Sequence, residues 1–291
     1  MTVRAWVLAA RPPTLWAAVA PVVVGTALAV RDGVFRWDGF GVTLFAALCI
    51  QVGVNFANDV ADAGRGVDDE GRIGPTRAVA TGLLSARQMW TGIAVAFGLA
   101  AGAGVYLTWL AGPWILVIGI ASLLAALGYT NGPVPYGYRG LGEVFVFVFF
   151  GLVATVGTRF VFDRTAPADA WYAGVVMGAL ATAILVANNV RDIDSDRRTG
   201  KRTLAVILGR GPARALYGVV LGLPFLTVVV AVVAGVFPAW TLLALASIAL
   251  AVPLVRVLAT ETAGPPLIGV LQGTARLQIV VAGLLALGLV L

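Results

Sequence analysis

Nine windows of about 20 predominantly apolar residues, the length needed to cross a bilayer core, recur near 12–30, 39–58, 87–108, 111–129, 141–162, 169–190, 213–236, 238–258 and 268–290. They predict an all-α polytopic membrane protein of about nine transmembrane helices. The connections around Gly112-Pro113 and Phe237-Pro238 are only a few residues long, as expected for turns between neighbouring helices. Charged residues make up 12% of the chain, against roughly 25% in soluble domains. No polar linker divides the sequence, so residues 1–291 are expected to form one intramembrane domain. The first apolar window follows Arg4 and Arg11 and lacks a small-residue cleavage site, which predicts a retained span instead of a removed leader.

Several chemistries are excluded at once. The chain has no histidine, which removes the commonest general base, the commonest zinc ligand and any Ser-His-Asp triad. Cys49 stands alone inside an apolar window, as a buried inert thiol would. The formal charge is +6, but the cations are dispersed between apolar spans and nearly all are Arg, which fits topology and phosphate binding better than nucleic acid. With nine spans, one side carries Arg4, Arg11, Arg65, Arg72, Arg77, Arg87, Arg139, Arg191, Arg197, Arg198, Lys201, Arg202, Arg210, Arg214 and Arg256. The other holds Arg31, Arg36, Arg159 and Arg164, with Arg276 inside the last window. The positive-inside rule then places the amino terminus on the cytoplasmic side of the cell membrane.

Two acid-rich segments lie on that same side. In NFANDVADAGRGVDDEGRIGPTR, residues 55–77, a helical reading puts Asn55, Asn58, Asp59 and Asp62 at i, i+3, i+4 and i+7, on one face. In NNVRDIDSDRRTGKR, residues 188–202, Asn189, Asp192 and Asp196 repeat the i, i+3, i+7 pattern, with Asn188 four residues before Asp192. Carboxylate and amide oxygens at such spacing suit a hard divalent cation, and magnesium commonly completes its shell with water and substrate phosphates. Asn55, Asn58 and Asn188 fall in the last turns of apolar windows and are expected to face a cavity, since polar groups are expensive in lipid. Arg72, Arg77, Arg191, Lys201 and Arg202 lie beside the acids, placed to bind a polyanion, and the planar guanidinium fork of Arg matches phosphate oxygens. Arg87, Arg197 and Arg198 are accounted for by topology alone.

A third segment on this side, YTNGPVPYGYRGLGE, residues 129–143, carries Tyr129, Tyr136 and Tyr138 among prolines and glycines. It reads as a rigid aromatic connector in which Tyr136 or Tyr138 covers a reactive centre, or else as interfacial tyrosine. The chain also looks weakly duplicated. Asn58/Asp62 and Asn188/Asp192 each end a helix, four helices apart, which suggests four-helix units over about 1–130 and 131–258 plus a last helix, with the site at the repeat interface.

NDVAD (Asn58 to Asp62) and DIDSD (Asp192 to Asp196), each at a cytoplasmic helix end, resemble the paired Asp-rich motifs of UbiA-type intramembrane prenyltransferases, and the resemblance covers nearly the whole chain. The three segments quoted above are most similar to the branch of that family that prenylates 1,4-dihydroxy-2-naphthoate in menaquinone synthesis. One departure stands in the first motif, where many family members have another Asp at the place of Gly66; Asp68 is the nearest substitute. The resemblance implies a single helical bundle with a central cavity open to the cytoplasm and to lipid. It implies transfer of a prenyl group from a polyprenyl diphosphate to the naphthoate, with loss of CO2 and diphosphate, and no obligate protein partner. The cofactor implied is Mg2+, with Mn2+ as a substitute, held by Asn58, Asp62, Asp192 and Asp196, with Asp59 and Asp68 alongside. Asp62, Asp192, Lys201, Tyr136 and Tyr138 become the expected catalytic groups. Asn55, Arg72, Arg77, Tyr129, Asn188, Asn189, Arg191, Lys201 and Arg202 are the expected substrate contacts. Another acceptor, such as 4-hydroxybenzoate, homogentisate, a chlorin, haem or a phosphoribose, would leave the same motifs in place. A cation-coupled transporter is the alternative from a different class; it would put the acids near the bilayer midplane, and here they sit at helix ends.

Overall fold

The computed structural model describes residues 3–64, 77–132, 135–262 and 264–291. Among them there is no strand. The helices are α1 (Val3–Ala10), α2 (Pro12–Arg31), α3 (Trp37–Gly64), α4 (Ala86–Ala111), α5 (Pro113–Gly128), α6 (Gly142–Asp163), α7 (Ala168–Arg191), α8 (Ile193–Arg198), α9 (Leu204–Leu208), α10 (Arg210–Val233), α11 (Ala239–Thr260) and α12 (Pro265–Val290). Eight of these are long and apolar enough to cross a membrane. The ninth expected span, α5, is an apolar helix of 16 residues, about 24 Å long at 1.5 Å per residue and so shorter than a bilayer core of about 30 Å. Gly112, with φ 95, turns the chain sharply out of α4, and Pro113 starts the next helix at once.

Helix α3 runs past its apolar window. Its 28 residues span about 42 Å, which carries the stretch from Asn55 to Asp62 to one end of the bundle as continuous helix. Helix α7 forms the centre, with small residues on most of its faces: Ala170, Ala173, Ala179 and Ala183 are fully buried. Gly178 and Gly174 let α6 approach closely, since a Cβ on Gly151 would lie 2.3 Å from the Gly178 Cα and 2.6 Å from the Gly174 oxygen. Across that contact α6 adopts a π-helical stretch, Phe147–Val153, a local rewinding often found at functional sites.

The end of the bundle away from Asp62 is closed differently. Arg159 is buried and makes paired hydrogen bonds to Asp163 (2.6 and 2.9 Å) and to Asp32 (3.2 and 2.8 Å), while Arg31 bridges Asp32 and Asp169. This cluster joins α2, α6 and α7. Trp37, Trp109, Trp114, Trp171 and Trp240 are exposed, and each sits near the helix terminus at this same end. That is the arrangement of an aromatic belt at a membrane–water interface.

Candidate active site

A cavity of about 1080 Å³ opens between α2, α3, α5, α6, α7 and α12. Its depth is apolar, walled by Ala47, Ile50, Val54, Leu123, Phe149 and Phe150. Its mouth is lined by Asn58, Asp62, Arg77, Asn188, Arg191, Asp192, Asp196 and Lys201. The two acid segments therefore meet at one opening, with α3 supplying the first and the junction of α7 with α8 the second.

At 100° per residue, Asn55, Asn58 and Asp62 of α3 lie within one narrow arc and all line the cavity. Asp59 sits at the far edge of that arc and turns away. It is completely buried and accepts hydrogen bonds from the backbone N–H groups of Ala78 (2.9 Å) and Val79 (3.0 Å). The expected metal ligand is thus a fastener for the returning chain, because a helical face about 100° wide has two sides and only one meets the cavity. What Asp59 fastens is Arg77, which is buried, donates to the Asn58 carbonyl oxygen (3.0 Å) and pairs with the Asp62 carboxylate. The Tyr138 hydroxyl donates to the other Asp62 oxygen. Asn55 uses its amide N–H groups on the Ala10 carbonyl (2.8 Å) and the Thr14 hydroxyl (2.9 Å), which ties α3 to the start of α2.

The second face is not one straight helix. Helix α7 ends at Arg191, Asp192 serves as the joint (φ −92, ψ 5), and α8 begins at Ile193. Arg191 grips Asp192 through Nε (2.7 Å) and Nη2 (2.6 Å) and also donates to the Asn188 side-chain oxygen (2.9 Å). Lys201 lies 3.7 Å from the Asp196 carboxylate and 5.0 Å from the centre of the Tyr138 ring. Burial pushes the Asp196 carboxyl up to about 6, with nearby Lys201 pulling it back down. Asn189 donates to Glu143 (2.9 Å), a buried carboxylate on α6 that sequence reasoning had not used. Arg202 does not reach the cavity: its side chain is exposed, and its backbone N–H bonds the Tyr138 carbonyl (3.2 Å), joining the tyrosine connector to the second acid segment.

Two tyrosines of the connector pack against neighbouring helices. Tyr136 stacks on Phe145 with ring centres 3.9 Å apart and donates its hydroxyl to the Ala125 carbonyl (2.5 Å). Tyr129 packs edge-on against Tyr136 and lines the cavity, and its hydroxyl bonds no described residue. Burial raises both phenols, so both stay protonated. Gly137 approaches the Tyr129 carbonyl too closely for any Cβ. Tyr138 stands behind Asp62 and outside the lining. Asp68 and Arg72, also expected at the site, lie outside the described residues.

Two lining residues had a readable signal that went unread. Gln51 is one helical turn before Asn55 on α3, buried, with a side-chain oxygen that has no hydrogen-bond partner. Arg11 lines the cavity from the junction of α1 and α2, where its φ of 51 places it in the left-handed region ahead of Pro12-Pro13.

The donor set fits a hard cation, since the side chains of Asn58, Asp62, Asn188, Asp192 and Asp196 offer oxygen ligands at the mouth. Among the described residues no three acids stand close enough together to hold an ion by themselves. That geometry suits an ion shared with the phosphates of a substrate better than a closed protein cage.

Residues 18–267 match the UbiA prenyltransferase family. The chain is similar to the 1,4-dihydroxy-2-naphthoate octaprenyltransferase of Mycobacterium leprae, 40% identical over 97% of this chain and 96% of that one. In fold it resembles the apo structure of a UbiA homolog from Aeropyrum pernix K1 (TM-score 0.70, 17% identity, 96% of this chain and 97% of that chain). It also resembles a UbiA homolog from Archaeoglobus fulgidus bound to DMAPP and Mg2+ (TM-score 0.60, 14% identity, 96% and 98%). The chain belongs to the UbiA prenyltransferase family.

Proposed function

We propose that this protein transfers a polyprenyl group from its diphosphate to 1,4-dihydroxy-2-naphthoate, releasing diphosphate and CO2 and forming the prenylated naphthoquinol, the reduced form of demethylmenaquinone. The observation that carries this reading is the meeting of Asp62, Asp192 and Asp196 with Arg77, Arg191 and Lys201 at the mouth of an apolar cavity. The acceptor rests on the naphthoate relative, similar over nearly its whole length.

Asn58, Asp62, Asn188, Asp192 and Asp196 would hold Mg2+, or Mn2+ in its place, together with the diphosphate; when bound, the ion neutralises charge on the leaving group. The A. fulgidus neighbour was solved with such an ion. Arg77, Arg191 and Lys201 bind the remaining phosphate oxygens, and their pull grows as the allylic C–O bond breaks and charge gathers on the diphosphate. The prenyl tail lies along Val54, Phe149 and Phe150, where water is excluded from the allylic carbon as it becomes cationic. The ring carbon bearing the carboxylate forms the new C–C bond. Its bond to the carboxylate then breaks, the electron pair returns to the ring, and CO2 departs, so the ring needs no net proton transfer. The free Tyr129 hydroxyl is placed to orient the acceptor, and Tyr136, held by Ala125 and Phe145, fixes the wall behind it.

In this reading residues 1–291 form one domain whose two four-helix units each deliver one acid face. The mouth opens toward the cytoplasm of the cell membrane, on the Arg-rich side. The test is product analysis by mass spectrometry of purified protein with a polyprenyl diphosphate, Mg2+ and the naphthoate. A prenylated naphthoquinol with equimolar CO2 is expected. Consumption of the diphosphate only with a different aromatic would overturn the acceptor assignment.

A further inference from the structure

We infer that Arg77, Arg191 and Lys201 are exchangeable counter-ions. They occupy the metal-binding carboxylates in the empty enzyme and pass to the diphosphate when it arrives, so that cation and diphosphate bind as one unit. The inference rests on the site reading above and adds the order and coupling of binding.

The hydrogen-bond inventory of the mouth carries it. Of the two Asp62 oxygens, one pairs with Arg77 and one accepts from Tyr138. Both Asp192 oxygens accept from Arg191, at 2.7 and 2.6 Å. One Asp196 oxygen faces Lys201 at 3.7 Å and the other faces the Thr203 hydroxyl at 3.4 Å. The amide oxygens are taken as well, Asn58 by Thr130 (3.0 Å) and Asn188 by Arg191 (2.9 Å). Among the described residues, the three acids of the mouth face three cations, and each of these carboxylate and amide oxygens already faces a donor.

An ion entering alone at Asp192 must displace Arg191, which is buried and pairs with no other acid among the described residues, and an uncompensated buried charge is strongly unfavourable. Diphosphate entering alone must approach three carboxylates. When both enter together, the carboxylates turn to the ion and the Arg and Lys groups turn to the phosphate oxygens, so each charge keeps a partner. Such coupling is reciprocal by thermodynamic necessity. The pairs also keep the acids from repelling one another while the cavity is empty, which would let the mouth stay formed between turnovers.

The test uses purified full-length protein in detergent with Mn2+ as the probe, bound ion being read from loss of the free-ion electron paramagnetic resonance signal. Without diphosphate, the wild type is expected to bind Mn2+ weakly, and Arg191→Gln and Lys201→Gln are each expected to bind it tighter by on the order of tenfold, within the usual range of coupling between sites. At saturating Mn2+ the same two variants should bind inorganic diphosphate more weakly than wild type. Arg197→Gln removes an exposed cation from the same short helix α8 and should leave Mn2+ affinity within about twofold, because exposed charges are screened. Asp192→Asn combined with Arg191→Gln should return to weak binding, which ties the gain to that carboxylate. Thermal unfolding of each variant confirms that it is folded, and Lys201→Gln stands as an independent case should Arg191→Gln fail to fold. If the two Gln variants hold Mn2+ no tighter than wild type while Asp62→Asn and Asp192→Asn still abolish its binding, the exchange is wrong and the site reading stands. If wild type binds neither Mn2+ nor diphosphate when both are present, the site reading falls and the exchange with it.

Discussion

Asp59 gives the sharpest separation between two roles for an acid in the first motif. Its carboxylate touches no part of the cavity and instead accepts from the N–H groups of Ala78 and Val79 at 2.9 and 3.0 Å. A hydrogen bond to a charged group is worth about 1.5–3 kcal/mol, so Asp59→Ala should lose about 3–6 kcal/mol and leave two buried donors unsatisfied. That is a large share of a stability of about 5–15 kcal/mol. Asp59→Asn keeps one acceptor and should lose about half as much. Because Ala78 adjoins Arg77, the loosened chain should also raise KM for the polyprenyl diphosphate while Mn2+ still binds. Thermal unfolding in detergent, diphosphate kinetics and Mn2+ binding together decide the matter. An Asp59→Asn protein that unfolds at the wild-type temperature yet has lost Mn2+ would refute the fastening role and make Asp59 a ligand.

Other residues give equally direct expectations. Asp62→Asn and Asp192→Asn should each lower kcat/KM of the folded protein by on the order of hundredfold or more, the scale on which a preorganised electrostatic group contributes; full turnover in either purified variant counts against the metal assignment. Tyr129→Phe removes a hydroxyl that bonds no described residue, so stability should hold while KM for the aromatic acceptor rises; unchanged acceptor kinetics would exclude the contact. Arg159→Ala breaks the buried cluster at the opposite end and should cost about 3–5 kcal/mol, read as a fall in unfolding temperature, with kcat of the folded fraction preserved. Gly151→Ala forces a Cβ to 2.3 Å from the Gly178 Cα and should destabilise by about 1–3 kcal/mol or more; an unaltered unfolding temperature would mean that α6 and α7 pack more loosely than described.

How much of this was legible in the sequence depends on the range of the interaction. The face of α3 was legible because helical periodicity is local: Asn55, Asn58 and Asp62 do line one cavity. Periodicity fixes a face only to within its own width, so Asp59 was grouped with them although its partners lie 19 and 20 residues further on. The same signal extends back to Gln51, four residues before Asn55. Apolar length found α5, but length alone could not show that Gly112-Pro113 would leave a helix of 16 residues. The joint at Asp192 was hidden for a related reason: NNVRDIDSD reads as one helical run, and the break follows from the hold of Arg191 on Asp192 and of Arg210 on the Val190 carbonyl (3.2 Å). The pairing of Arg159 with Asp32, 127 residues away, has no local signature.

The most direct test of the central claim, that the two acid faces bind one metal–diphosphate unit, is to locate Mn2+ by anomalous scattering in crystals grown with an unreactive polyprenyl diphosphate analogue. The account predicts Mn2+ between Asp62 and the Asp192–Asp196 pair, with the diphosphate against Arg77, Arg191 and Lys201. Metal bound elsewhere, or a diphosphate seated away from these six side chains, would contradict it.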